Sequence, residues 1–117
     1  MTEEIRKKME DQGMDVKGAL GRMMGNETLF VRIMKKFLDD KSYDKLKEAL
    51  EAKDYDAAFE GAHALKGVAG NLGLNPLMEA DIVVLEKLRH KETAGLEEDF
   101  KKVEELYVET CEILKEL

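Results

Sequence analysis

Tryptophan is absent from the 117 residues, and proline and cysteine occur once each, as Pro76 and Cys111. A single cysteine excludes an internal disulfide framework, and a cytoplasmic location is expected. Apart from Pro76, no proline interrupts a helix. No apolar run reaches membrane-spanning length, and the opening Met-Thr-Glu-Glu is polar, so neither a secretory leader nor a membrane partner is expected. The chain contains no P-loop, no kinase glycine loop and no metal-spaced acidic motif. It is therefore read as lacking an ATP site and a cofactor of its own. Nineteen basic against twenty-six acidic residues give a net charge of −7, which repels a phosphate backbone and argues against nucleic acid. A metal or haem bundle needs several inward ligands from different helices, and the only histidines are His63 and His90.

What is present is charge and helical periodicity. Charged residues make up 38% of the chain and hydrophobic ones 44%, the profile of a small all-helical protein with a single domain over residues 1–117. Residues 3–11 can form a short helix with Ile5 and Met9 inward, broken near Gly13. Asp15 caps a second, through Met24, carrying Val16, Ala19, Leu20 and Met23. Gly25 ends it, and Asn26 caps a helix to about Asp40 through Leu29, Phe30, Ile33, Met34, Phe37 and Leu38. The nine residues from Phe37 to Leu46 turn the apolar face by about 180°, which predicts a break at Lys41-Ser42. Ser42 then restarts a helix through Lys53, with Leu46, Ala49 and Leu50 inward.

Asp54 caps a central helix running to about Leu72 and ending at Gly73. Asn75 followed by Pro76 reads as a cap and first helical residue. That helix carries Leu77, Ala80, Val84 and Leu88 and reaches about His90. Lys91 to Thr93 connects to a last helix ending at Leu117, with Leu96, Phe100, Val103, Leu106, Tyr107, Thr110, Ile113 and Leu114 as its packing set. The expected fold is all-α, an antiparallel four-helix bundle with additional short N-terminal helices.

The central helix separates into two faces. Ala58, Ala62, Leu65, Ala69 and Leu72 recur at steps of 4, 3, 4 and 3, a core stripe. His63 projects roughly 140° away from that stripe. Gly67 and Gly70 share its side, and Lys66 flanks it. Gly61, Gly67 and Gly70 together forfeit about 2–3 kcal/mol of helix propensity relative to alanine. Glycines beside an outward histidine make sense if another molecule's backbone approaches the ring. The alternative is that Gly61 and Gly70 only let neighbouring helices come close.

Residues 62 to 74 resemble the signature of histidine-containing phosphotransfer (HPt) domains, roughly A-H-x-L-K-G-x-A-x-x-L-G. The match runs through Ala62, His63, Leu65, Lys66, Gly67, Ala69, Leu72 and Gly73. The resemblance implies a phosphorelay intermediate, a phosphoryl carrier rather than an independent enzyme. His63 would be the phosphoacceptor and Lys66, one turn on, would stabilise phosphoryl charge. Gly67, Gly70 and Phe59 would belong to the docking face, although Phe59 reads first as core. The expected partners are response-regulator receiver domains and a histidine kinase upstream, with Mg²⁺ on the receiver and this chain a monomer. The competing reading is a phosphorylation-independent adaptor that docks on a receiver or kinase and inhibits it. Retention of both His63 and Lys66 favours the carrier.

Many members of that family carry Glu or Gln twenty-two residues after the histidine, reaching the other ring nitrogen. Here the ungapped position is Leu85, with Glu86 next. Either the following helix is shifted by one residue or the ring lacks that partner. Asp81, one turn before Leu85, would lie nearer Lys66 than His63. His90 sits at a helix end, where a cation suits the dipole, and reads as surface. Cys111 reads as a helical filler, and the Met23-Met24 pair as core or partner contact.

Overall fold

A computed structural model describes residues 1–117 as seven α-helices with no strand. Helix α1 (Glu3–Gln12) starts on Thr2, whose hydroxyl accepts the Ile5 N–H, and stops at Gly13 in the left-handed region. Helix α2 (Val16–Arg22) starts on Asp15, which accepts the Gly18 N–H. It ends two residues earlier than periodicity predicts, because Met24 turns to φ 57° ahead of Gly25. Helix α3 (Glu27–Lys36) is capped by Asn26, as expected. It tightens into a 3₁₀ turn at Phe37–Asp39, and Asp40 is extended, so the predicted break is present. Lys41 stands at the start of the next helix without a side-chain capping bond, and the Asp40 carboxylate accepts the Ser42 N–H at 2.9 Å.

Four longer helices make the bundle: α4 (Ser42–Glu51), α5 (Tyr55–Asn71), α6 (Asn75–Arg89) and α7 (Leu96–Leu114). Asp54 caps α5 by accepting the Ala57 N–H, and the helix ends at Leu72 before left-handed Gly73. The α6 cap stands one residue earlier than expected. Leu74 occupies it, its carbonyl already accepting the Met78 N–H at 2.9 Å, and no side chain caps that end. The reason is burial: Leu74 is fully enclosed, so its backbone is committed to the helix before Asn75 is reached. The last helix ends at Leu114, three residues short of the expected Leu117.

Consecutive bundle helices pack side by side, and α4 closes the ring against α7. Tyr43 stacks on Tyr107 at 3.7 Å and on Phe100 at 5.8 Å between ring centroids. The core they enclose includes Phe30, Met34, Phe37, Leu46, Leu65, Leu77, Val84, Leu85 and Leu114, all essentially without exposed surface. Each such side chain contributes about 1.5–3 kcal/mol by leaving water. Gly61 allows the α4–α5 contact, since a Cβ there would meet the Leu46 backbone nitrogen at 2.8 Å.

The N-terminal helices cover the end of the bundle where α5 turns into α6. The Asp15 N–H donates to the Gly73 carbonyl at 2.8 Å, and Gln12 donates to the Thr110 hydroxyl at 3.4 Å. Gly73 is required twice over: its φ is +72°, and a Cβ would stand 2.6 Å from the Asp15 carbonyl oxygen. This arrangement brings α2 alongside the C-terminal end of α5. No helix is long and apolar enough to cross a membrane.

Candidate functional site

The two faces of α5 separate as its periodicity predicts. Ala58, Ala62, Leu65, Ala69 and Leu72 are buried, while His63 and Gly67 are exposed and Lys66 is half-buried. A Cβ added at Gly67 would meet nothing within 4 Å, so packing within the chain gives no reason for glycine there. Gly70 differs. A Cβ on it would stand 3.0 Å from the Met78 Sδ, the flexible end of an α6 side chain that would have to give by a few tenths of an ångström.

Around His63 the surface forms a shallow depression lined by Arg22, Lys66, Gly67, Gly70, Asn71 and Met78. Its charged side chains are cations, although the chain carries a net charge of −7. Arg22 was not foreseen as part of this face. Its guanidinium donates to the Asn71 carbonyl at 3.0 Å and to the Gly70 carbonyl at 3.4 Å, satisfying carbonyls at the negative end of the α5 dipole. Forty-nine residues separate Arg22 from Asn71, and only the folding-back of α2 unites them.

On the other side of His63, the Phe59 ring lies 6.2 Å away, tilted by 19°, and is half-buried against the core. Arg89 of α6 sits over the opposite end of that row, with its guanidinium carbon 5.3 Å from the Phe59 centroid, a cation–π distance. Phe59 is thus both core and surface, and Arg89 is a second cation beyond the α5 motif.

The register of α5 against α6 decides what stands behind the imidazole. Met78 faces Gly70, and Arg89 faces Phe59. In an antiparallel pair each step up one helix is a step down the other, so both contacts put His63 level with Leu85. Leu85 has no exposed surface. Glu86 is exposed and turned away, 3.3 Å from Arg89 and 3.7 Å from His90. The ungapped alignment therefore holds, and neither position brings a carboxylate to the ring.

The same register sets Asp81 level with Gly67, beside Lys66. Asp81 is fully buried, and neither of its carboxylate oxygens has a hydrogen-bond partner. Burial pushes its carboxyl up to about 7 from 3.8, and the field of the Lys66 ammonium opposes that rise. The other candidates lie apart from this face. His90 is an exposed residue at the C-terminal cap of α6, and Cys111 is buried in α7 with its thiol pushed up by that burial. Met23 packs partly on the core, whereas Met24 is 95% exposed.

A family model described as Hpt domain matches residues 36–109, well over half of the chain. The match takes in α4, α5 and α6 and most of α7, with every residue of the His63 face except Arg22. Searches of curated proteins and of solved structures returned no match.

Proposed function

The chain belongs to the Hpt domain family, the phosphocarrier modules of two-component signalling, and from that premise we propose that His63 is its phosphoacceptor. In this reading the protein takes a phosphoryl group from a receiver aspartate or an upstream kinase and passes it to another receiver. The observation that carries the reading is the α5 face itself. An exposed imidazole stands beside a lysine one turn on, with a glycine that no internal contact requires.

The chemistry follows from that arrangement. A neutral imidazole is a competent nucleophile near pH 7 because its unperturbed pKa is about 6.5. The lone pair of His63 Nε2 forms the N–P bond as the P–O bond to the donor's aspartyl carboxylate breaks, and the carboxylate leaves with the electron pair. The transferring group carries its charge on three equatorial oxygens, so catalysis is positioning and neutralisation. Lys66 supplies positive charge from one turn away, and Arg22 adds a second charge at the edge of the depression. In this reading the Mg²⁺ used in transfer belongs to the receiver partner, and the charged side chains lining the depression are cations. The bare Gly67 lets the partner's backbone approach the ring.

The test is incubation with labelled phospho-receivers, reading transfer onto wild-type chain, His63→Gln and Lys66→Ala. Loss of label in His63→Gln and slowed transfer in Lys66→Ala are expected. A His63→Gln protein that still docks on and inhibits a receiver or kinase, where wild type takes no label, would favour the adaptor instead.

A further inference from the structure

Asp81 is the one buried carboxyl in the seam behind the His63 face, and the mechanism above does not use it. A carboxylate without a partner in an apolar seam is costly unless a cation comes to it or it takes a proton. The charged groups around the seam leave one candidate. On α5 it is Lys66, whose positive field opposes the rise that burial causes at Asp81. On α2, Arg22 is held by the Asn71 and Gly70 carbonyls. Between α6 and α7, Lys87 is paired with Asp99. Lys66 is half-buried, and its ammonium rides on a flexible four-carbon stem with rotatable donors. That stem starts level with Asp81 on one side and one turn from His63 on the other.

We propose that Asp81 is a positioning residue for Lys66: the ammonium exchanges between the buried Asp81 carboxylate and the phosphoryl group on His63. Before transfer, Asp81 has no bonded partner, and when ionised it draws the Lys66 ammonium toward the seam. When the phosphoryl dianion arrives on His63, Lys66 moves to it. Asp81, then without that field in a medium of low dielectric constant, takes up a proton from solvent wherever it was ionised. The phosphorylated state of His63 therefore gains a proton at Asp81 and is favoured as pH falls. A second consequence is that ionised Asp81 competes with the phosphoryl group for Lys66, which raises the tendency of phospho-His63 to pass its load onward.

This inference rests on His63 being the acceptor, and the experiment separates the two. The Asp81 carboxyl is followed by ¹³C NMR titration in wild type and Lys66→Met, each unmodified and after phosphorylation with phosphoramidate. The titration midpoint is expected to rise in unmodified Lys66→Met, because the ammonium's field is lost. Phosphorylation should raise it in wild type, and by less in Lys66→Met. In parallel, the equilibrium between phospho-receiver and phospho-His63 is measured from pH 6 to 8 in wild type and Asp81→Asn. The ratio of wild type to Asp81→Asn should fall severalfold across that range, bounded by tenfold per pH unit for one proton. A midpoint unmoved by Lys66→Met or by phosphorylation, or equilibria that run parallel with pH, would overturn the role of Asp81 while leaving His63 as acceptor. Failure of His63 to take label from either donor would overturn the acceptor reading, and this inference with it.

Discussion

Replacing Asp81 by Asn should make the protein more stable at pH 8 than at pH 4 relative to wild type, and the size of the effect follows from its surroundings. The carboxyl is fully buried, lacks any hydrogen-bond partner and is pushed up to about 7 from 3.8 in the unfolded chain. Below pH 3.8 it is protonated whether the chain is folded or not, and it adds no pH dependence. Between 3.8 and about 7 the folded state holds a proton that the unfolded state has released. Stability then falls with rising pH by up to about 1.4 kcal/mol per unit. Above about 7 both states are ionised and the loss is complete, on the order of 4 kcal/mol. Asparagine has nearly the same shape and does not titrate, so it removes this term alone. The assay is urea unfolding of both proteins at intervals from pH 4 to 8. All other titrating groups are common to the pair, so the difference between the two curves isolates Asp81. A difference that grows toward neutral pH by about 3–4 kcal/mol is expected. A difference constant to within about 0.5 kcal/mol would refute the reasoning, since Asp81 would then be solvated or firmly paired in the folded state.

Four further outcomes separate packing from recognition. Gly67→Gln should leave stability unchanged or raised by up to about 1 kcal/mol, while slowing transfer from a phospho-receiver, because the added side chain meets open space. Gly61→Ala should lower stability by roughly 1–3 kcal/mol in the same unfolding assay, because its Cβ would meet the Leu46 backbone nitrogen at 2.8 Å. Leu85→Ala should cost roughly 2–5 kcal/mol, as expected for a fully buried leucine. Glu86→Gln should stay within about ±0.5 kcal/mol of wild type and transfer at the same rate. A transfer defect in Glu86→Gln would mean that this carboxylate reaches the ring after all.

Much of this was legible in the sequence because helical periodicity ties burial to position. The stripe from Ala58 to Leu72 predicts an outward His63, and it lies outward. The phase change between Phe37 and Leu46 located the break at Lys41-Ser42, and Asp40 is extended there. The misplaced boundaries at Leu74 and Met24 have different causes. Leu74 and Met24 are set by tertiary burial and by a left-handed turn, neither of which a local capping rule sees. The face around His63 was legible only where it is local to α5. Arg22 and Arg89 reach it from other helices, so no spacing along α5 could reveal them. Asp81 was placed near Lys66 by the hairpin register, but its complete burial and unpartnered oxygens depend on how α6 is rotated against α5. Likewise, periodicity alone left Leu85 and Glu86 as alternatives until the pairs Gly70 with Met78 and Phe59 with Arg89 fixed the register.

The central claim is that His63 carries the phosphoryl group, and mapping the modified residue tests it most directly. The chain is labelled by a phospho-receiver, digested under alkaline conditions that preserve a phosphoramidate, and sequenced by mass spectrometry. The account predicts one acid-labile, base-stable modification, on His63, and none in the His63→Gln protein. Label on His90, an acid-stable label on a serine or threonine, or a base-labile label on a carboxyl side chain would contradict it.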